Sequence, residues 1–202
     1  MGRQAKLSLP KRPSRAWAWY NSRMAAPIIG LQVVVLGGGA AGYFAAIACA
    51  EADPSCRVTL LERSSRVLSK VKISGGGRCN VTHACFDPAR LATFYPRGGR
   101  ALRGPFSRFQ PCDTVEWFRD RGVALKTEDD GRMFPVTDQS QTIIDCLEKA
   151  AARANITIRR QVLITSIQKR DDPSGGFTLL MDSGESLPAD RMILATGSNP
   201  QG

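Results

Sequence analysis

Between Arg23 and Glu51 the chain carries no charged residue, and Gly37, Gly38 and Gly39 sit in the middle of that stretch. An unbroken apolar run of that length would read as a membrane-spanning helix. The glycines divide it instead. Residues 31–36 form a short β-branched run, the pattern of a strand buried on both faces of a parallel sheet. Residues 40–52 are rich in helix-forming alanine and stop before Pro54. The stretch therefore reads as strand, tight turn and helix, and no membrane span is expected.

The turn has the form Gly37-x-Gly39-x-x-Gly42. In a strand–turn–helix unit the first glycine makes the turn, the second lets backbone approach a pyrophosphate, and the third lets helix and strand pack closely. Anionic phosphates then meet the open N–H groups at the helix N-terminus. The bland alternative is a glycine turn that serves packing only. Residues 57–62 weigh against it: they read as a second strand ending in Glu62, twenty residues past Gly42. An acid at that spacing accepts hydrogen bonds from an adenosine ribose and disfavours a 2′-phosphate, so NADP is not expected at this first site.

Residues 70–82 read Lys-Val-Lys-Ile-Ser-Gly-Gly-Gly-Arg-Cys-Asn-Val-Thr. Three successive glycines present backbone donors with no side chains in the way. Ser74, Arg78, Asn80 and Thr82 surround them with hydrogen-bonding groups. Such a loop can cradle phosphates or lie against a flat ring; the alternative is a plain flexible loop.

The sequence is similar to the flavoproteins known as BaiN-like NAD(P)/FAD-dependent oxidoreductases. Four ordered blocks carry the resemblance: residues 35–42, 70–82, 130–136 and 193–197, of which the second is the most specific. One departure is His83, where the family pattern has Asn after Val-Thr. The resemblance implies an α/β fold, a Rossmann-like FAD domain of the glutathione-reductase type with a β-meander, and oxidoreductase chemistry with NAD(P)H as a candidate donor. It implies no particular substrate. It covers residues 31–198 and stops about halfway through the family pattern, so the chain reads as an N-terminal half, truncated relative to the family.

The resemblance and the motifs together give a candidate cofactor-binding set: Gly37, Gly39, Ala40, Ala41, Gly42, Glu62, Arg63, Lys72, Ser74, Gly75, Gly76, Gly77, Arg78, Cys79, Asn80, Thr196 and Gly197. Arg78, Cys79 and Asn80 are also candidates for touching flavin or substrate. No general acid or base stands out.

Further along, residues 111–121 read as a helix anchored by Val115, Trp117 and Phe118, with Gly122 at its end. Residues 123–127 and 132–134 read as strands around the turn Asp129-Asp130-Gly131. Asp138 or Ser140 is expected to cap a helix to Ala154, buried through Ile143, Ile144, Leu147 and Ala151. Strand 156–159, a meander over 162–187 with turns at Ser174-Gly175-Gly176 and Ser183-Gly184, and a last strand over 191–195 complete the pattern. In the flavoproteins that the chain resembles, a meander feeding a strand that ends in Ala-Thr-Gly closes over the cofactor; the resemblance implies the same for Thr196-Gly197, which favours FAD over NAD alone.

Lys and Arg number 28 against 18 Asp and Glu, a net charge of +10. Two segments account for the excess. Residues 1–30 hold six basic residues and no acid, and residues 88–112 hold five arginines and no acid; the remainder is near neutral. Nucleic-acid binding wants a basic face on the folded core, so no nucleic-acid partner is expected. Residues 88–112 are read as a solvated connector with one helical turn or two, with a basic approach for an anionic ligand or cofactor as the other reading. Residues 1–23 have the acid-free, Arg-, Ser- and Ala-containing make-up of an organellar transit peptide, chloroplast or mitochondrial. The domain division is thus an extension over 1–30 and a dinucleotide domain over 31–202.

His83 is the only histidine and the six cysteines form no C-x-x-C pair, so Cys2His2 and H-E-x-x-H metal sites are excluded and no metal is expected. The cysteines suggest a reducing compartment, with Cys49 and Cys146 as small buried hydrophobes and Cys79 structural. Two functions follow: an FAD-dependent oxidoreductase of unassigned substrate, or a non-catalytic module that holds FAD or ADP weakly.

Overall fold

The computed structural model describes residues 30–171 and 175–198. The N-terminal extension up to residue 29, Ser174 of the expected turn, and the last four residues lie outside them.

In chain order the elements are β1 (Gln32–Leu36), α1 (Ala40–Ala52), β2 (Arg57–Glu62), α2 (Ser69–Gly77), β3 (Thr82–His83), α3 (Pro88–Thr93), α4 (Gly99–Arg108), α5 (Pro111–Arg119), β4 (Leu125–Thr127) and β5 (Arg132–Pro135). They continue with α6 (Ser140–Arg153), β6 (Thr157–Arg160), β7 (Ile164–Lys169), β8 (Phe177–Met181), β9 (Ser186–Ala189) and β10 (Arg191–Leu194). Four strands make a parallel sheet in the order β10-β1-β2-β6. The meander β7-β8-β9 is a separate antiparallel sheet, and β3-β5-β4 a third. This is the Rossmann-like α/β arrangement that the motifs predicted.

The alternation of β1 explains the layering. Side chains along a strand point to opposite faces in turn. Val33 and Val35 join Tyr43, Ile47, Ile143 and Leu147 of the helical layer. Val34 and Leu36 join Leu61, Leu179, Met181 and Ala189 on the meander side. A strand covered on both faces needs apolar residues at every position, which is why β1 reads as a continuous run. Among the described residues no helix is long and apolar enough to cross a membrane.

Three local expectations change. Residues 70–82 begin as a helix, since Leu68 and Val71 pack into the core before the glycines interrupt. Neither Asp138 nor Ser140 caps α6: Gln139 holds that place without a side-chain bond. Asp138, at φ +53°, instead pairs with Lys126 and Arg78, and Ser140 Oγ donates to the Lys72 carbonyl at 2.8 Å. Residues 88–112, expected as a solvated connector with one helical turn or two, hold two helices, α3 and the ten-residue α4, so the helical part is longer than expected.

Candidate dinucleotide site

The carboxyl ends of β1, β2 and β10 meet at one edge of the sheet, with Leu36 level with both Leu61 and Leu194. From β1 the chain moves to β2 on one side, while β10 lies on the other. Open α/β sheets bind ligands where strand order reverses in this way. The glycine turn sits there, and its three glycines meet different surroundings. A Cβ on Gly37, at φ +113°, would lie 2.3 Å from the Ala195 carbonyl oxygen. One on Gly42 would lie 1.9 Å from the Gly37 carbonyl oxygen. At Gly39 a Cβ would meet nothing within 4 Å. Two glycines therefore close the backbone, and the one between leaves open space.

That space lies over the N-terminus of α1. The helix has no side-chain cap and no acid in its first turn. Its first amides lack intrahelical acceptors and carry the positive end of the helix dipole. Ala40 and Ala41 expose them to solvent. The donor set and the room both suit an anion such as a pyrophosphate.

Glu62 is fixed beside this turn. Gly38 N–H donates to its Oε2 at 2.7 Å and Ser64 N–H to its Oε1 at 2.7 Å. Desolvation pushes its pKa up, but the amide donors from Ser64 and Gly38 and the nearby Arg63 charge together hold it below the usual carboxylate value. Each oxygen retains lone-pair capacity for a further donor. A carboxylate kept ionised at the sheet edge suits the hydroxyls of a ribose. Arg63 itself is exposed. These residues fit an adenosine diphosphate group, with phosphates at α1 and ribose at Glu62.

The glycine-rich block has a different construction. Ser74 leaves helical geometry at ψ 150°, and Gly75, Gly76 and Gly77 follow at φ +55°, +69° and +86°. This left-handed turn is closed by the Cys79 N–H donating to the Ser74 carbonyl at 3.0 Å. A Cβ on Gly75 would lie 2.8 Å from both Asn80 N and the Phe134 ring, whereas Gly76 and Gly77 face open space. Arg78 pairs with Glu128, lies 3.6 Å from Asp138, and stacks 4.0 Å over the Phe134 ring. Cys79 is buried, and burial pushes its thiol pKa up, away from thiolate reactivity. Lys72 Nζ donates to Gln141 Oε1 at 2.7 Å, and Ser74 Oγ to the Val71 carbonyl at 2.9 Å. In this block Gly76 and Gly77 face open space, and Asn80 and Ile73 are exposed.

After β10, Ala195 and Thr196 run beside Gly37, and a Cβ on Gly197 would lie 3.7 Å from Lys70 Nζ. Sequence reasoning omitted Lys70, whose Nζ donates to the Ser198 carbonyl at 2.8 Å and lies 3.1 Å from Ser198 Oγ. It ties the glycine-rich block to the end of β10. The available signal was its place as first residue of the most specific block. Among the described residues no group of His, Cys, Asp and Glu is arranged to hold a metal ion.

Residues 31–201 match the HI0933-like protein Rossmann domain. The chain belongs to this family. Among curated relatives, a 3-dehydro-bile acid delta(4,6)-reductase of Clostridium scindens is 30% identical over 82% of this chain and 39% of its own length. A ribosomal RNA dihydrouridine synthase of Escherichia coli is 28% identical over 81% of this chain and 38% of its own length. The chain thus spans less than half the length of these HI0933-like relatives. The crystal structure of THI4 from Thermovibrio ammonificans superposes with a TM-score of 0.55 at 14% identity, over 83% of this chain and 58% of that one. At that identity the likeness concerns the fold alone.

Proposed function

We propose that this chain holds the adenosine diphosphate part of FAD and serves a flavin-dependent reductase, with NAD(P)H as electron donor. The observation that carries this reading is the uncapped N-terminus of α1 beneath an open Gly39, with Glu62 fixed beside it at the reversal of strand order. Phosphates would take hydrogen bonds from the first amides of α1, and ribose hydroxyls would donate to Glu62. Gly76, Gly77, Thr196 and Gly197 would supply backbone at the same sheet edge. The chemistry a bound FAD supplies is a two-electron reduction.

The substrate class follows from what the two relatives' names have in common. A delta(4,6)-reductase acting on a 3-dehydro bile acid and an enzyme making dihydrouridine both reduce a carbon–carbon double bond conjugated to a carbonyl. We infer a substrate with such a bond for this chain. Cys79 is given no nucleophilic role in this reading, since it is buried and burial pushes its thiol pKa up.

The test is to purify the protein and record its flavin absorbance, then titrate FAD and ADP by calorimetry. Reduced flavin on the protein is next mixed anaerobically with an α,β-unsaturated ketone, and separately with a saturated ketone. Binding of ADP and FAD, and reoxidation by the unsaturated ketone only, are expected. Binding without reoxidation would leave a non-catalytic flavin-holding module. No binding of ADP would overturn the cradle itself.

A further inference from the structure

The glycine-rich block carries the cations Lys70, Lys72 and Arg78, and the last two are engaged by other side chains. Arg78 pairs with Glu128, and Lys72 Nζ donates to Gln141 Oε1. Lys70 is exposed and makes no ion pair among the described residues. Its Nζ donates to the Ser198 carbonyl at 2.8 Å and lies 3.1 Å from Ser198 Oγ, two neutral groups. An ammonium has three hydrogens, so one remains for a ligand.

The fold sets Lys70 across the glycine turn. On one side of the turn, the Leu68 N–H donates to the Gly38 carbonyl at 2.7 Å, and a Cβ on Gly38 would lie 2.9 Å from Val67 Cγ1. On the other side, a Cβ on Gly37 would lie 2.3 Å from the Ala195 carbonyl oxygen and 3.1 Å from Thr196 Cα. Lys70 comes just after the first of these strips and reaches Ser198 at the end of the second. Both strips lie beyond the carboxyl ends of β2 and β10, the edge where α1 begins and Gly39 leaves open space. The ammonium therefore borders the space over Gly39.

Folding alone does not call for a cation there. The N-terminus of α1 is a positive dipole end, and a like charge beside it is unfavourable. Glu62, the acid fixed beside the turn, has its oxygens held by the backbone N–H groups of Gly38 and Ser64 and forms no ion pair with Lys70. A neutral donor would tie Ser198 equally well. An anion lying between α1 and Lys70 satisfies both positive ends, and lysine is a point charge suited to phosphate. We propose that Lys70 is a phosphate-binding residue of this cradle. One ammonium hydrogen goes to a non-bridging oxygen of the dinucleotide pyrophosphate, while the other two keep Ser198 and the strip before it against the turn. The assignment rests on the dinucleotide reading of the site. It adds a side-chain charge to a phosphate cradle otherwise made of backbone N–H groups.

The experiment titrates the full chain with ADP by calorimetry and with adenosine, which has the base and ribose but no phosphate, by chemical-shift changes. Lys70→Gln should weaken ADP binding roughly tenfold to a hundredfold, the range for a hydrogen bond to a charged group. Adenosine, which offers Lys70 no phosphate, should shift by less than about twofold. Lys70→Arg should recover most of the loss, because a guanidinium keeps the charge and donates to phosphate. The ADP loss in Lys70→Gln should shrink as ionic strength rises from about 0.01 to 1 M, since salt screens an exposed charge pair. Arg57→Gln removes the same charge at the amino end of β2 and should change ADP affinity by less than about twofold. No ADP binding by the native protein would remove the cradle, and Lys70 with it. Where the native protein binds ADP, three results would overturn the role of Lys70 alone: undiminished ADP binding by Lys70→Gln, a loss shared equally by adenosine, or an equal loss in Arg57→Gln.

Discussion

Gly39 and Gly42 stand three residues apart in one motif, and the structure assigns them opposite physical roles that a pair of substitutions separates. At Gly42 a methyl group would be built 1.9 Å from the Gly37 carbonyl oxygen. Backbone cannot rotate away as a side chain would, so α1 must lift from β1 by roughly 1 Å or more. Overpacking of this kind costs about 1–3 kcal/mol and sometimes more, while alanine's better helix propensity returns about 1 kcal/mol. We expect Gly42→Ala to lose about 2 kcal/mol, a fall in thermal midpoint of about 4–8 °C for a chain of this size. Gly39 is the N-cap of α1, with φ −86° and ψ −174°, and no side-chain cap. Serine accepts that geometry and brings a hydroxyl that can take a first-turn N–H. Gly39→Ser should therefore leave the midpoint unchanged or raise it by about 1–2 °C, a gain of a few tenths of a kcal/mol. The same hydroxyl occupies the space and one of the donors that the phosphates need, so ADP affinity should fall at least about tenfold, or 1.4 kcal/mol. Circular dichroism melts and ADP calorimetry on both variants provide the readouts. Undiminished ADP binding by Gly39→Ser would refute the phosphate cradle. An unchanged midpoint for Gly42→Ala would refute the packing role.

Three other outcomes are expected. Glu62→Gln should weaken ADP binding by roughly 1–3 kcal/mol through loss of a charged acceptor. Because the Glu62 pKa is held down in the fold, its stabilisation is present above the ordinary value of 4.5 and fades as pH falls through the folded value. The variant should accordingly show a shallower loss of stability in acid, measured by denaturant titration below pH 4.5. Gly75→Ala, at φ +55° with the Asn80 amide and Phe134 ring each 2.8 Å from the new methyl, should cost about 1–3 kcal/mol in a thermal melt. If residues 1–23 direct import into an organelle, a fluorescent fusion begun at Met24 should stay in the cytosol, and the shortened protein should keep its melting midpoint.

The turn, the helix after it and the acid at the end of β2 were legible in the chain because their causes are local. Periodicity names strand and helix within one element. A glycine at positive φ, such as Gly37, answers a demand of its own backbone. The acid is set by the span of a single β-turn-α-β unit. What the chain could not show was which distant groups would meet. Val35 lies level with Ile193 only once the meander has returned the chain to the other side of β1. Arg78 looks like a ligand contact in its glycine-rich block, yet Glu128, fifty residues on, takes its charge, and Phe134 takes its flat face. Lys70 looks like one more surface lysine until Ser198 comes within reach. Residues 88–112 become a packed helix pair only where Gly99 lets α4 come up to the Ala92 carbonyl. A local sequence states what each residue can do. Which of those capacities remains open to a ligand depends on partners brought in from far along the chain, and tertiary packing makes that choice.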